Sequence, residues 1–222
     1  MNCRLRSIAG YGLLLFAASI AVAQQAAPSE RWANDIRKFE QADRKNPPAK
    51  GGVVFVGSSS IRQWPALSDA FPDVAVIQRG FGGSQMADAV AYVDRIVLPY
   101  EPRLVVVYAG DNDLASGKSP ERVLDDYQQL VKKIHAQRPE TRIAFLAIKP
   151  CLRRWNLIDR VRAANSLIKK ASDRDERLVY IDVFTPLLGK DGKPRSELFQ
   201  PDKLHLNAQG YRVWQAVVAP HL

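Results

Sequence analysis

The chain has 222 residues, of which 46% are hydrophobic and 25% charged, and its formal net charge is +9. This length and composition predict one sizeable domain with a hydrophobic core and exclude a disordered or fibrous chain. The basic residues are mixed with acidic ones, and their densest group is Lys149, Arg153 and Arg154. The charge therefore predicts a solvated basic surface and no nucleic-acid interface. Attraction to an anionic cell envelope or to an acidic substrate is the alternative.

The first residues have the pattern of an export signal. Two arginines precede a short apolar run, and Ala21 and Ala23 provide the small residues of a cleavage site. The run is shorter than the roughly 20 residues that a membrane-spanning helix needs. We expect residues 1–23 to be a secretory signal peptide and residues 24–222 to be a single domain, periplasmic or secreted. No later stretch is predicted to span a membrane.

Short apolar runs rich in Val and Ile alternate with helical patterns along the rest of the chain. The apolar runs are 53–56, 74–77, 104–108, 143–148 and 178–183. Apolar residues at helical spacing fall within 32–39, 86–97, 123–134, 157–171 and 211–218. Ser119 before Pro120 predicts a helix start, and Asn207 predicts the cap of the last helix. Strands that alternate with helices predict a three-layer α/β/α sandwich with a mainly parallel five-stranded sheet.

Functional residues of such a fold gather in the turns at the carboxyl ends of the strands. Gly57 and three serines, Ser58, Ser59 and Ser60, follow the first apolar run. The glycine allows a sharp turn out of the sheet, and a following helical turn would direct backbone N–H groups to the same place. A purely structural glycine-serine turn is the alternative.

Two further turns offer groups that bind an oxyanion. The segment 79–84 contains three glycines, whose free N–H groups could hold an anion, although its spacing is that of neither a dinucleotide-binding motif nor a phosphate loop. After the third run, Asn112 lies between Asp111 and Asp113 and offers a side-chain amide. The aspartates also allow a metal site or purely local turn and cap roles.

The general base is predicted near the end of the chain. Of the three histidines, His135 falls within a helical pattern and His221 is the penultimate residue. His205 alone lies in a connection before a helix, three residues after Asp202. This spacing lets the carboxylate bind one ring nitrogen and leaves the other free for a serine nucleophile.

These four turns resemble the four blocks of the SGNH hydrolases, the group that contains the GDSL lipases and esterases. The Ser, Gly, Asn and His of those blocks match Ser59, Gly83, Asn112 and His205, and the last block includes Asp202. The resemblance covers nearly the whole chain after the signal. One position departs from the family, because Ser58 stands where the usual first block has Asp.

The resemblance implies a flavodoxin-like sheet and a serine esterase that needs no metal or cofactor. Ser59, His205 and Asp202 would form the catalytic triad, and the Ser59 N–H, Gly83 N–H and Asn112 amide the oxyanion hole. The expected substrate is a short-chain or acetyl ester on a small molecule or a glycan, with Trp64 and residues 153–155 as pocket walls. The alternatives are a lysophospholipase or thioesterase, a non-catalytic carbohydrate- or anion-binding module, and a nucleotide-binding protein.

Overall fold

The computed structural model describes residues 30–222, so the predicted signal peptide at 1–23 lies outside the described residues. Five strands form its sheet: β1 (Val53–Gly57), β2 (Val76–Gly80), β3 (Leu104–Tyr108), β4 (Arg142–Leu146) and β5 (Leu178–Ile181). The helices are α1 (Ala33–Lys45), α2 (Ser59–Arg62), α3 (Leu67–Ala70), α4 (Met86–Ile96), α5 (Asp111–Ala115), α6 (Pro120–Gln137), α7 (Ile158–Ser172) and α8 (Ala208–Val218). The 3-10 turns are Glu30–Trp32, Leu98–Tyr100, Leu152–Leu157, Thr185–Leu187, Ser196–Leu198 and Ala219–His221.

All strand pairs are parallel, in the order β2-β1-β3-β4-β5. The chain moves outward from β1 to β2 and then crosses to β3 on the other side of β1. The carboxyl end of β1 is therefore the topological switch point, where ligands bind in open α/β sheets. Gly57 pairs with Gly80 on one side and with Tyr108 on the other, so the turns after β1, β2 and β3 emerge at one edge.

The central strands β1 and β3 are buried on both faces, whereas the edge strand β5 is only partly buried. Val54, Val56 and Val105 pack in a cluster that includes residues of α1, α4, α6 and α7. The alternate residues Val53 and Phe55 pack in a second cluster with residues of α8. Successive strand side chains point to opposite faces, so helices cover both sides of the sheet. The three-layer arrangement and the parallel five-stranded sheet predicted from the sequence are confirmed.

The second strand lies later in the chain than its apolar run indicates. It begins at Val76 and ends at Gly80, and the preceding Ala75 O accepts the N–H of Val53. Arg79 is thus a strand residue and not part of the turn. Both predicted helix caps are present: Ser119 Oγ accepts the Arg122 N–H, and Asn207 accepts two N–H groups of α8. No helix within residues 30–222 is long and apolar enough to cross a bilayer.

Candidate active site

The turn after β1 places Ser59 at the sheet edge. Gly57 has a φ of +148°, and a Cβ on it would lie 1.9 Å from Tyr108 O, so only glycine fits. Ser58 donates its N–H to the same carbonyl at 3.0 Å and precedes α2 as its N-cap residue. Ser59 is then the first residue of α2, and its side chain lies at the N-terminal end of that helix.

The three serines of this turn have different surroundings. Ser59 Oγ lies 2.9 Å from His205 Nε2. Ser60 Oγ lies 3.1 Å from Lys149 Nζ on the buried side of the turn. Ser58 Oγ is buried and has no hydrogen-bond partner among the described residues. Of the three, the structure brings only the Ser59 hydroxyl to the histidine.

His205 and Asp202 occupy one tight turn before α8. Lys203 adopts a φ of +58° within it, which is uncommon for a residue with a side chain. This conformation lets Asp202 Oδ1 accept the N–H groups of Leu204 at 2.9 Å and His205 at 3.0 Å. Asp202 Oδ2 lies 2.5 Å from His205 Nδ1. With the ring proton on Nδ1, Nε2 is an acceptor directed at Ser59.

The Asp202 carboxylate remains charged over a wide pH range. Partial burial acts to raise its pKa, but the hydrogen bonds from the His205 backbone and ring and from the Leu204 N–H outweigh burial. Together they lower the pKa of Asp202 to about 2. The carboxylate is therefore available to orient the imidazole and to stabilise it when it becomes protonated.

The turns after β2 and β3 supply the other predicted residues. Gly83 has a φ of +79°, and neither its N–H nor that of Ser59 has an acceptor within residues 30–222. Asn112 Nδ2 donates to Ser84 O at 3.0 Å, which links the two turns directly. That bond uses one of the two amide protons, and the other is free for a ligand.

Arg154, predicted from the sequence to be either a solvated basic residue or part of a pocket wall, holds the Asn112 side chain. Its Nη2 donates to Asn112 Oδ1 at 3.0 Å and its Nη1 to Asp111 O at 3.0 Å. Because the guanidinium only donates, it fixes which end of the Asn112 amide is oxygen and which is nitrogen. The residues are 42 positions apart, so no local sequence pattern indicates this contact.

Lys149 does not lie on the predicted solvated surface, so that interpretation of the basic group is wrong for this residue. It is 2% exposed, and Nζ contacts Ser60 Oγ at 3.1 Å, Tyr108 OH at 3.0 Å and Asp111 Oδ2 at 3.5 Å. Burial raises the pKa of the Tyr108 phenol to about 12. A buried ammonium requires polar or charged partners of this kind. The lysine therefore holds the buried side of the turn that carries Ser59.

Asp113 has a tertiary role in addition to the local role expected of a turn aspartate. Its fully buried carboxylate accepts the Met86 N–H and pairs with Lys118 at 2.9 Å. Burial raises the pKa of this carboxyl, although Lys118 opposes the shift. The contact ties the turn after β3 to the start of α4. Within residues 30–222, no cluster of three His, Cys, Asp or Glu side chains could hold a metal ion.

Trp64 is not a wall of the site, contrary to the expectation from the sequence. It is 3% exposed and packs against Phe55, Phe71, Tyr211 and Trp214 in the core. Large aromatic side chains bury extensive apolar area in this way. A tryptophan near a serine turn looks the same in sequence whether it faces the core or a ligand.

A profile of the GDSL-like lipase/acylhydrolase family matches residues 49–213, a span that includes all four turns. The chain belongs to this family. Membership supports an esterase or acylhydrolase activity. The family name spells its first block as Gly-Asp-Ser-Leu, whereas this member has Gly57-Ser58-Ser59-Ser60.

Relatives of known name agree with the family. The chain is 31% identical to the Arabidopsis thaliana GDSL esterase/lipase CPRD49 over 197 residues, covering 75% of this chain and 76% of that protein. It is 23% identical to the Gallus gallus platelet-activating factor acetylhydrolase IB subunit alpha2, covering 82% and 79%. A GDSL-like lipase structure from Bacteroides thetaiotaomicron shares the fold, with a TM-score of 0.66, 19% identity and coverage of 86% and 95%.

Proposed function

We propose that this family member is an exported serine esterase that hydrolyses short-chain or acetyl esters. The observation that carries the proposal is the continuous chain of contacts from Asp202 through His205 to Ser59, with lengths of 2.5 Å and 2.9 Å. This is the geometry of a nucleophile, a general base and an orienting carboxylate. The export part of the proposal depends on residues 1–23 alone.

The reaction begins when Ser59 Oγ attacks the ester carbonyl carbon and its proton passes to His205 Nε2. The carbonyl π electrons move to oxygen and give a tetrahedral oxyanion. The imidazolium, stabilised by Asp202, then donates its proton to the leaving alcohol as the ester C–O bond breaks. Water attacks the acyl-serine with His205 again as base, and release of the acid restores the free hydroxyl.

The oxyanion would be bound by the Ser59 N–H, the Gly83 N–H and the free amide proton of Asn112. A preorganised donor of this kind typically lowers the barrier by about 3 kcal/mol. Arg154 contributes by holding Asn112 Oδ1, so that the amide presents nitrogen and not oxygen to the developing charge. The bonds to Ser84 O and from Arg154 hold the Asn112 amide before the substrate arrives, which reduces reorganisation during the reaction.

A short acyl group is favoured by two observations. Trp64 packs in the core, which removes one apolar side chain that a long acyl chain would need as a wall. One of the relatives is by name an acetylhydrolase. The alcohol part of the substrate would be a small molecule or a glycan. A lysophospholipase or thioesterase activity of the same site is the alternative for the substrate.

The test is turnover of p-nitrophenyl esters of increasing chain length by the purified protein. We expect the acetyl ester to be hydrolysed fastest, and Ser59→Ala to lower kcat by about 10⁴-fold or more. Ser58→Ala is the matched control, because the Ser58 hydroxyl has no partner among the described residues, and it should retain turnover. A fluorophosphonate should label Ser59, located by mass spectrometry.

The opposite results would reject the proposal in distinct ways. Turnover that survives Ser59→Ala would exclude this serine as the nucleophile. Absence of turnover on every ester, with no labelling, would favour a non-catalytic module on the same fold, the alternative that Ser58 in place of the usual Asp suggests.

A further inference from the structure

The guanidinium of Arg62 lies beside the turn after β2, which carries the predicted oxyanion residue Gly83. Arg62 is the last residue of α2, three positions after Ser59, so both side chains leave the same face of the helix. A Cβ built on Gly82 would lie 2.5 Å from Arg62 Cζ and 2.6 Å from its Nη2. The absence of a side chain at Gly82 therefore makes room for the guanidinium directly against the backbone that carries Gly83.

This guanidinium has unused donors. Arg62 is exposed to solvent, and within residues 30–222 its side chain forms no hydrogen bond and no ion pair. A guanidinium has five N–H donors in a planar fork, which match the oxygens of a carboxylate, phosphate or sulfate. Arg62 thus presents an open anion-binding fork one residue away from the predicted oxyanion glycine.

A second arginine lies beside the same turn. A Cβ on Gly83 would lie 3.5 Å from Arg31 Nη2, and the Arg31 guanidinium rests 4.5 Å from the centre of the Trp32 ring. Arg31 is exposed and forms no ion pair within the described part of the chain. The preceding residue, Glu30, is an exposed acid, but it forms no ion pair with Arg31.

The turn that carries the proposed base adds to the positive charge. Lys203 is exposed between Asp202 and His205, and its carbonyl accepts the Arg153 N–H at 3.1 Å. The one carboxylate in that turn is already bound to His205. Exposed cations therefore lie beside the turn after β2 and within the turn that carries His205, and their field attracts anions.

We propose that Arg62 and Arg31 form an anion subsite, and that the substrates are acyl esters whose alcohol part carries a carboxylate, phosphate or sulfate group. This inference depends on the proposed esterase function. The anion belongs to the alcohol part because a short acyl group leaves no other place for it. Binding the anion would fix the ester carbonyl over Ser59 and direct its oxygen towards Gly83.

The experiment compares acetate esters that differ in charge. Phenyl acetate is neutral, 4-acetoxybenzoate, 4-acetoxyphenyl phosphate and 4-acetoxybenzenesulfonate are anionic, and 4-acetoxyphenyl-trimethylammonium is cationic. Each kcat/KM is divided by the rate constant for alkaline hydrolysis of the same ester, which removes the electronic effect of the substituent. We expect the anionic esters to exceed phenyl acetate by about tenfold and the cationic ester to fall below it.

Arg62→Gln should bring the ratio of anionic to neutral kcat/KM close to one, and Arg31→Gln should lower it less. Arg174→Gln is the matched control, an exposed arginine just after α7, near the opposite edge of the sheet, and it should keep the wild-type ratio. Added salt should reduce the ratio in the wild type, because exposed charges are screened. The carboxylate, phosphate and sulfonate esters show which anion fits best.

Failure of the subsite and failure of the esterase proposal give different results. Hydrolysis of phenyl acetate with a normalised ratio of one, unaffected by Arg62→Gln, would overturn the subsite and leave the esterase. If no ester is hydrolysed, binding of 4-acetoxybenzoate to Ser59→Ala protein is followed by saturation-transfer NMR. Binding that is lost when the Ser59→Ala protein also carries Arg62→Gln supports the subsite. Binding that is unchanged in this double variant, or absent from Ser59→Ala itself, rejects it.

Discussion

Arg79 lies in β2 and Arg62 lies beside it, yet the Arg79 side chain is hydrogen-bonded, which we call closed, and that of Arg62 is unpaired within the described residues, which we call open. Arg79 donates to Tyr100 OH at 2.9 Å, to Gln78 O at 2.9 Å and to Asp43 Oδ1 at 2.6 Å, and it is 7% exposed. Arg62 is exposed and has no side-chain acceptor within residues 30–222. Identical side chains therefore have different surroundings, because the fold supplies hydrogen-bond partners for Arg79 and none, within the described residues, for Arg62.

The same contrast applies to whole regions. The cluster around Arg79 joins α1 to β2, and its polar groups satisfy one another. At the carboxyl ends of β1 to β3, by contrast, the N–H groups of Ser59 and Gly83 and one amide proton of Asn112 have no acceptor among the described residues. Unpaired donors cost stability, so their concentration at one edge marks the place where a ligand completes the structure. Four predictions test this distinction.

Among these four predictions, the largest effect on kcat is expected from removing the amide donor of Asn112. Asn112→Ala should lower kcat for p-nitrophenyl acetate by about 10²- to 10³-fold, because one oxyanion donor is lost. KM should change far less, since the charge forms only in the transition state. Asn156→Ala, at an exposed asparagine, is the control and should be neutral. A loss of less than threefold for Asn112→Ala would remove this residue from the oxyanion hole.

A change in the cluster around Arg79 should lower stability and leave kcat unchanged. Arg79→Met removes the partner of Asp43 and Tyr100 and should lower the free energy of unfolding by about 2 kcal/mol, measured by urea denaturation. The kcat of the folded protein should stay at the wild-type value. Arg174→Met provides the surface comparison, with an expected change within about 0.5 kcal/mol. If Arg79→Met lowered kcat without lowering stability, the cluster around Arg79 would not differ in role from the unpaired donors at the carboxyl ends of β1 to β3.

Arg154 binds the side chain of Asn112 at the candidate site, and a double-mutant cycle measures its role. Arg154→Met should lower kcat by about tenfold, because Asn112 loses the contact that orients its amide. In the Asn112→Ala background the same change should cost less than about twofold, since the residue acts through Asn112. Arg154→Lys should recover part of the rate. Equal losses in both backgrounds would show that Arg154 acts independently of Asn112.

The smallest effect concerns pH and Asp202. The pKa of Asp202 is lowered to about 2 in the folded protein, below the ordinary value of 3.8. Its charged form therefore stabilises the fold above about pH 4, and this contribution disappears as the pH falls towards 2. The difference in urea midpoint between wild type and Asp202→Asn should shrink over that window. A difference that grows on acidification would contradict the sign of the shift.

Much of the architecture could be predicted because it depends on local patterns. Alternating apolar runs and helical stripes predicted a five-stranded parallel sheet, and Ser119 and Asn207 marked the helix starts that the structure has. The parallel sheet then brought Ser59, Gly83 and Asn112 to one edge. Their catalytic roles stay predictions, but their common location follows from the order of strands and turns.

The sequence by itself determined the fold class and the residues of the candidate site, because period, capping and motif spacing are encoded locally. The tertiary structure decided which serine meets His205, that Trp64 packs in the core, and that Lys149 is buried. Arg154 and Asn112 are 42 positions apart, and Lys149 and Ser60 are 89 apart. Such contacts exist only once distant segments pack together, so the partner of a charged side chain, and whether it has one, is a property of the folded chain.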